Sequence, residues 1–545
     1  MEPESLMLPS PRADQESLVQ AMLDPAFYPR RPSTVNYRET HISHLFFAGD
    51  LVYKVKKDVR YSFVDYSNLE RRLFFLQEEL RLNRRLAPSV YLGILPISHD
   101  DYGWQLGSDA QLAEYALVMR RLPERRMLDH LLDTGQATPS MMDAVAETLA
   151  PFHAAAPNGR KVRPFGDPAR IRSVWTENLS DLDPFIGRTV DAGTLAAIRA
   201  FGDSFLAEHS ELMQRRALAG YTREVHGDLH CEHICFAPEG IQIYDCVEFS
   251  RRFRFIDVAS EVAFLSMDLQ ARGAREHAQR FINRYVELTN DADLAKLLPF
   301  YECYRALVRA KVFTLIFRDR AEAASRYFDQ AYSYTWQALK PFVVMIAGLT
   351  GSGKSTLARA LARRLGATVI NSDVTRKRLA GASDRHDQLK YGEGLYSPAM
   401  TARAYRKMME EADNCLAAGR SVILDATFHK AAQRDPSLEI AERRGASIAL
   451  IECHARDDLI RERLAARAEA RRDPSDGNWQ IYLKQKELFE PFTLNPNRLR
   501  LDTELSLAQL TNKSEEFLRA ALAKPANKTA YPIRIAASNL LSETR

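Results

Sequence analysis

The chain has 545 residues, 46% hydrophobic and 27% charged, with 75 Lys and Arg against 71 Asp and Glu. That balance excludes global disorder, and 24 glycines without a fixed period exclude a collagen-like chain. The best apolar run, FVVMIAGL, is far below the ~20 residues a membrane helix needs, the acidic, Pro-broken start does not read as a signal peptide, and six cysteines build no disulfide framework. A multi-domain cytoplasmic protein is expected, with no membrane partner. In chain order, residues 1–33 are Pro-rich and polar and read as a flexible N-terminal arm. HLFFAGDLVYKVKK reads as a hairpin, NLERRLFFLQEELRLNRRL as a long helix and ALVMRRL as another strand. After about Met141 the pattern is helical, interrupted near REVHGDLH and IQIYDCVEF. DRAEAASRYFDQAYSYTWQALKP is a further helix that stops at Pro341. No low-complexity linker follows it, so domains at 34–340 and 341–526 are expected to pack together. In the second half VVMIAG, ATVINSD, SVILDAT and SIALIECHA alternate with helical stretches, the pattern of a parallel sheet flanked by helices. Residues 527–545 read as a loose tail. From Pro341 onward there are 33 Lys and Arg and 25 Asp and Glu, a surplus of 8 that leaves −4 upstream. A mildly basic second half suits an anionic ligand without requiring nucleic acid.

The clearest chemistry is Gly348-Leu349-Thr350-Gly351-Ser352-Gly353-Lys354-Ser355, followed by Thr356, a full G-x-x-x-x-G-K-[ST] match. An apolar strand precedes it and a strong helix pattern follows. Such a loop turns backbone N–H groups onto phosphates at a helix N-terminus. Lys354 would reach the β- and γ-phosphates and Ser355 would ligate Mg²⁺, whether the nucleotide is ATP or GTP. Asp373 ends the next strand and Arg376 follows one turn later. An aspartate there can take a proton from an acceptor hydroxyl, with Arg376 orienting the acceptor; equally, Asp373 can be the N-cap of the helix VTRKRLAG. Asp425 ends the strand VILDAT, where a carboxylate holds Mg²⁺ through water. Arg463 and Arg467 share one helix face, with Arg471 and Arg472 close behind. They can close over the phosphates or simply form a solvated helix with i,i+4 pairs.

In the first half, His226-Gly227-Asp228-Leu229-His230 precedes a strand carrying Asp245 and Glu248. An H-x-D loop followed by a strand aspartate is how kinase-like folds place a catalytic base and a metal carboxylate. Upstream, Lys54 or Lys56, on one strand face, offers a phosphate-pairing lysine. Glu79, or Glu70, offers its partner. A competing reading of HGDLHCEHIC makes His226, His230, Cys231, His233 and Cys235 a zinc cluster, but the spacing fits no standard finger. Cys246, Cys303, Cys415 and Cys453 lie in apolar patterns and read as core.

These motifs carry two resemblances. The second half, from about Phe342 to Thr503, resembles P-loop kinases of the polynucleotide-kinase-like and zeta-toxin-like group, relatives of gluconate and shikimate kinases. There the residue matching Asp373 activates the acceptor hydroxyl and the arginines matching Arg463 and Arg467 contact ATP. The first half resembles the aminoglycoside-phosphotransferase-like family, with the match continuing through Asp257. The whole chain resembles bacterial tandem proteins that fuse the two. The resemblance implies a two-lobed protein-kinase-like domain (α+β) followed by an α/β P-loop domain. It also implies a metal-ligating Asn five residues after Asp228, where this chain has His233. Imidazole suits Mn²⁺ or Zn²⁺ better than Mg²⁺, so the first half is expected to prefer Mn²⁺ and to weaken as His233 protonates below neutral pH.

The expected activity is transfer of the γ-phosphoryl from Mg-ATP to a hydroxyl of a small molecule (a sugar, a polyol or an antibiotic-like acceptor), chiefly by the P-loop half. Two alternatives stay open: a nucleotide-gated binding or regulatory protein with a catalytically weak first half, and a kinase of nucleic-acid 5′-hydroxyls. No aromatic stacking platform favours the last.

Overall fold

The computed structural model describes residues 13–61, 64–108, 111–315, 321–381, 396–470, 477–492 and 497–522. The chain divides into two compact units between Ala331 and Tyr332, inside the helix Ala321–Gln337. The boundary expected at 340/341 therefore moves upstream. The cause is local: the Tyr332 hydroxyl donates to Glu515 at 2.7 Å, and Trp336 packs edge-on against Phe342. The tail at 527–545 lies outside the described residues.

In the first unit the hairpin Ser43–Ala48 and Leu51–Lys56 sits in a six-stranded antiparallel sheet. The order runs Val35–Glu39, Ser43–Ala48, Leu51–Lys56, Leu112–Arg120, Tyr91–Asp100, Gly103–Leu106. Alternation along Leu51–Lys56 sends Lys54 and Lys56 to the same face, where the helix Leu69–Asn83 lies. That helix starts because the Asn68 side chain accepts from the Arg71 N–H, and its Leu76 is buried with Ala87, Val90, Tyr91 and Leu117. The expectation of a loose arm fails for its described part. The helix Ala13–Leu23 buries Leu18 and Met22 with Phe46, Tyr53 and Val55, and Gln15 donates to the Lys56 carbonyl. Two apolar residues one turn apart were enough to dock it, a spacing masked by the polar composition around them.

The second lobe is helical. The helix Val258–Ala271 is buried almost all round, and Leu294–Leu315 packs along it. The short pair Thr222–Glu224 and Phe255–Asp257 brackets the His226–His230 loop. Asp257 belongs to this frame: it accepts from Arg216 at 2.8 and 2.9 Å and from the Ala259 N–H at 2.8 Å, which starts the helix Val258–Ala271.

The second unit is a five-stranded parallel sheet, as its alternating pattern predicts. The order is Thr368–Asn371, Val422–Asp425, Phe342–Ala347, Ser447–His454, Arg498–Asp502. Phe342–Ala347 is central and buried throughout, which is why it reads as an unbroken apolar run. Among the described residues no helix is long and apolar enough to cross a membrane.

The helix Ala192–Glu208 crosses Pro168–Ser180 at Gly202, where a Cβ would lie 2.1 Å from the buried Trp175 ring. Gly→Ala inside a helix ordinarily stabilises by about 0.5–1 kcal/mol. Overpacking costs about 1–3 kcal/mol and dominates here. Gly202→Ala should therefore lower the thermal midpoint of the first unit; an unchanged or raised midpoint would show that the indole can yield.

Candidate active sites

In the second unit the loop leaves Phe342–Ala347 and enters the helix Lys354–Leu365. Gly351 and Gly353 stand at φ 80° and 81°, and a Cβ on Gly351 would meet Ile460 at 2.9 Å. Only glycine fits both the conformation and the space. Ile460 and Leu464 belong to the helix Asp457–Ala470, so this helix is fastened to the phosphate loop by its apolar face. Arg463 on the same helix lies beside Gly353 and donates to the Thr503 hydroxyl and carbonyl at 2.9 and 2.6 Å. Arg467 follows one turn later, half-buried. Arg471 and Arg472 lie outside the described residues. Within the loop, the Thr350 N–H is taken by Gln485 at 3.0 Å, and Lys354 Nζ sits 3.5 Å from the Leu349 carbonyl.

Asp425 is 1% exposed and faces Ile346 across the parallel ladder, at the foot of the loop. Burial pushes its carboxyl up, and the Lys354 charge, the Ser355 hydroxyl and the Asn371 amide oppose this. Asn371 Nδ2 donates to Oδ2 at 2.6 Å, while Oδ1 is buried without a hydrogen-bond partner. An unsatisfied carboxylate oxygen beside a serine hydroxyl and a phosphate loop fits a hydrated Mg²⁺.

The competing roles of Asp373 separate cleanly. The N-cap of the helix Ser372–Leu379 is Asn371, whose Oδ1 accepts from the N–H groups of Asp373 and Val374 at 2.9 and 3.0 Å. Asp373 is not the cap. Its carboxylate instead pairs with Arg376, which is 6% exposed, lies 4.6 Å over the Tyr396 ring and keeps Nε unpartnered. Asn371 thus serves both carboxylates, a role the sequence does not announce because one of the contacts crosses between strands.

In the first unit the two lysines share one acid. Lys54 donates to Glu79 Oε1 at 2.6 Å and to Asp245 at 3.3 Å; Lys56 donates to Glu79 Oε2 at 2.8 Å and to Glu248 at 2.6 Å. Lys56 is fully buried, whereas Lys54 lines a cleft of about 1220 Å³ together with Asp228, His233 and Asp245. That assigns the cleft-facing role to Lys54. Glu70 is exposed in the first turn of its helix. Gly227 stands at φ 89°, and a Cβ there would meet the Phe253 carbonyl at 2.8 Å, so the H-G-D loop needs its glycine. His226 Nε2 donates to the Tyr244 carbonyl at 2.8 Å, and Glu261 receives the N–H groups of His226 and Gly227.

Burial opposes the charge of Asp228, yet His230, His233 and Arg309 hold its carboxyl well below the usual range. Asp245, at φ 64° and with 45% of its side chain exposed, is held down to about 2 by Lys54 and His233 against the effect of desolvation. Burial and the nearby His230 push His233 down to about 4. Its Nδ1 lies 2.9 Å from the Asp228 carbonyl, which can only accept, so Nδ1 carries the proton and Nε2 the lone pair. That lone pair faces the Asp245 carboxylate at 3.6 Å, two acceptors with room for a cation between them. Ligand atoms of Asp228, His230 and His233 also lie within 4.8 Å of one another. This donor set contains no cysteine: Cys235 is core beside Met127, and burial raises the Cys231 thiol. The five-residue cluster of His226, His230, Cys231, His233 and Cys235 is therefore not the donor set that the fold brings together. The expected weakening below neutral pH is overturned, since His233 stays neutral until about pH 4. Cys246, Cys303, Cys415 and Cys453 are buried and unbridged.

Residues 48–300 match the model of the phosphotransferase enzyme family, and residues 343–492 match that of an AAA domain. Uncharacterized proteins of Mycobacterium tuberculosis (strain H37Rv) and Mycobacterium bovis are each 32% identical over 449 residues, spanning 81% of this chain and 87% of theirs. The chain belongs to a family of bacterial tandem proteins that join a phosphotransferase domain to a P-loop kinase domain. The matched domains support an ATP-dependent phosphotransferase activity. Among solved structures, a sugar kinase from Janibacter sp. (20% identity, TM-score 0.26, 34% of this chain and 97% of that one) is similar to part of it. So are a gluconokinase from Sinorhizobium meliloti (19%, 0.25, 34% and 95%) and the Mycobacterium tuberculosis APS kinase in complex with AMPPNP and APS (22%, 0.25, 33% and 99%).

Two measurements probe these assignments. Asn371→Ala removes a cap, worth about 1 kcal/mol, and the donor to Asp425. It should lower turnover by the second unit about tenfold or more, whereas a pure cap loss would shift stability alone. In the chain carrying ¹³C-labelled histidine, the His233 ring should titrate near pH 4. The His230 ring, raised by Asp228 against the effect of burial, should titrate above 6.5. A His233 midpoint near 6.5 would contradict its burial.

Proposed function

We propose that the second unit transfers the γ-phosphoryl group of ATP to a hydroxyl of a small-molecule acceptor, with Asp373 as the base. The observation that carries this is the capping of the helix Ser372–Leu379 by Asn371, which leaves the Asp373 carboxylate available at the strand ends beside the phosphate loop. The loop Gly348–Gly353, the N-terminus of the helix that follows it and the Lys354 ammonium would hold the phosphates, with Thr356 in the first turn of that helix. Arg463 and Arg467 would flank the nucleotide from the helix Asp457–Ala470. Arg376 is placed to orient the acceptor, because its Nε has no partner and its Nη1 is tied to Asp373. Mg²⁺, when bound with the nucleotide, would be held by Ser355 directly and by Asp425 through water, and would neutralise phosphate charge. Small-molecule acceptors are supported by the solved relatives named as sugar, gluconate and APS kinases.

A second reading concerns the first unit, and the Lys54–Glu79–Asp245 geometry favours it. Lys54 would pair the phosphates of a second nucleotide, Asp228 would receive the acceptor proton, and Asp245 with His233 would hold a divalent cation. The mixed imidazole–carboxylate donor set favours Mn²⁺ there.

Asp373→Asn decides the main reading. Because Asn371 supplies the cap, the substitution leaves the helix start intact. Turnover should fall at least ~10²-fold with nucleotide affinity little changed. Near-wild-type turnover in a steady-state assay with labelled ATP would remove Asp373 from the chemistry.

A further inference from the structure

The cleft of the first unit is larger than the ~300–1,000 Å³ usual for one small-molecule site, which leaves room for a second reactant beside a nucleotide. One of its walls is made by the helices Pro168–Ser180 and Leu294–Leu315, away from Lys54. On the first helix Val174, Glu177 and Asn178 line the cleft, three and four residues apart. On the second, Tyr304 and Lys311 do so, and Arg252 joins them from the loop side.

Asn178 is 3% exposed, and neither its Oδ1 nor its Nδ2 has a hydrogen-bond partner. A buried amide left unmade at both ends costs about 1–3 kcal/mol per group, so such a residue requires an explanation. Its place on the cleft wall supplies one: the missing partners belong to a ligand. The charges around it narrow the ligand. Glu177 is engaged by both Arg252 Nη atoms at 2.7 and 2.8 Å, and Asp181 by Lys311 at 3.1 Å. Each carboxylate on this wall already has its cation, and Arg305 adds a positive charge that donates to the Ser260 and Gly227 carbonyls, so the wall offers a polyamine no free carboxylate. An amide offers one acceptor and two donors, which neighbouring hydroxyl groups match from both sides. An ammonium group would satisfy Oδ1 and leave Nδ2 stranded.

Resting on the second reading above, we propose that this wall is the acceptor subsite of the first unit and that it takes a neutral, polyhydroxylated molecule of the sugar or polyol class rather than a polycationic aminoglycoside. Asn178 holds two neighbouring hydroxyls and Tyr304 offers a ring face. In the step this implies, the acceptor oxygen bonds the γ-phosphorus as the bond from that phosphorus to the ADP oxygen breaks. The acceptor proton passes to Asp228 and then to water.

The test uses the full chain with Lys354→Ala, which disables the P-loop of the second unit, together with Mn²⁺ and γ-labelled ATP. Candidate acceptors are glucose, galactose, ribose, sorbitol and myo-inositol, with kanamycin and gluconate as the charged comparisons. Label should pass to at least one neutral compound and not to kanamycin or gluconate. Asn178→Ala should then raise the KM for that compound about tenfold or more while kcat stays within about threefold. The double variant Arg252→Gln/Lys311→Gln changes two partly exposed positions and unpairs both carboxylates, so it should strengthen kanamycin binding at least ~10-fold by calorimetry. Preference for kanamycin or gluconate in the chain without these wall changes overturns the proposal. So does an unchanged KM in Asn178→Ala, an unchanged kanamycin affinity in the double variant, or normal ATP binding with no neutral compound labelled. Failure of ATP and Mn²⁺ to bind at the first unit at all would instead overturn the nucleotide-site reading beneath it.

Discussion

Glu79 is shared between two lysines, and the cleft of the first unit is organised by that sharing. A carboxylate with no exposed surface is tolerable only when its charge is matched and its oxygens are bonded. Here Lys54 takes one oxygen and Lys56 the other, and Lys56 passes the constraint on to Glu248, which also accepts from the Tyr66 hydroxyl at 2.9 Å. Strand, helix and the segment after Tyr244 are thereby tied at one point. Removing any single partner would leave an uncompensated buried charge, which is far more costly than the pair itself is stabilising. The arrangement therefore fixes geometry more than it adds stability. Asp245 profits directly: its φ of 64° is strained for a residue with a Cβ, about 1–3 kcal/mol. It is held there by Lys54, by the Tyr91 hydroxyl on its N–H at 3.1 Å and by Asn83 on the next N–H at 2.8 Å.

The second unit reaches a comparable result by a more local route. The parallel ladder sets Ile346 opposite Asp425 and Asp425 opposite Asn371, so three strand ends deliver the phosphate loop, one carboxylate and one amide to the same edge. Asn371 then uses its two ends differently, its oxygen on the helix N–H groups and its nitrogen on Asp425. A side chain with only one kind of polar atom could not do both. The helix Asp457–Ala470 is likewise committed on its apolar face, through Ile460 and Leu464 against Gly351, which leaves Arg463 at the loop and Arg467 one turn beyond.

What the sequence reveals follows from how local each feature is. The phosphate loop, its strand and its helix are contiguous, and glycine, lysine and serine at fixed offsets leave little freedom; the four apolar strands of the second unit are equally plain. The fifth strand, Arg498–Asp502, carries basic residues at alternate positions and reads as surface. Lys54 and Lys56 could not be separated by pattern, because a period of two places both on one face; burial separates them. Asp373 was ambiguous because an aspartate near a helix start fits either role, and the discriminating residue, Asn371, sits two positions earlier. The helix Ala13–Leu23 was hidden by proline and charge around two apolar residues. Asn178 gives no signal at all in the sequence, since an asparagine matters there only for partners it does not have.

The depressed basicity of Asp228 bears on what such a site can contribute. A carboxylate held well below its usual range by His230, His233 and Arg309 is a weak base toward an alcohol, and general-base catalysis is most effective when the base titrates near the working pH. Phosphoryl transfer tolerates this, because in a loose transition state the nucleophile forms little bond until late and the hydroxyl keeps its proton until then. The same charges that weaken Asp228 as a base keep it ionised throughout the working range, as a fixed acceptor for one hydroxyl hydrogen. On the reading proposed for the first unit, it would orient the acceptor first and receive a proton afterwards. Catalysis there would rest on placement of the two reactants and on the Lys54 charge, and that is the kind of site for which a rigid, fully bonded frame around Glu79 matters most.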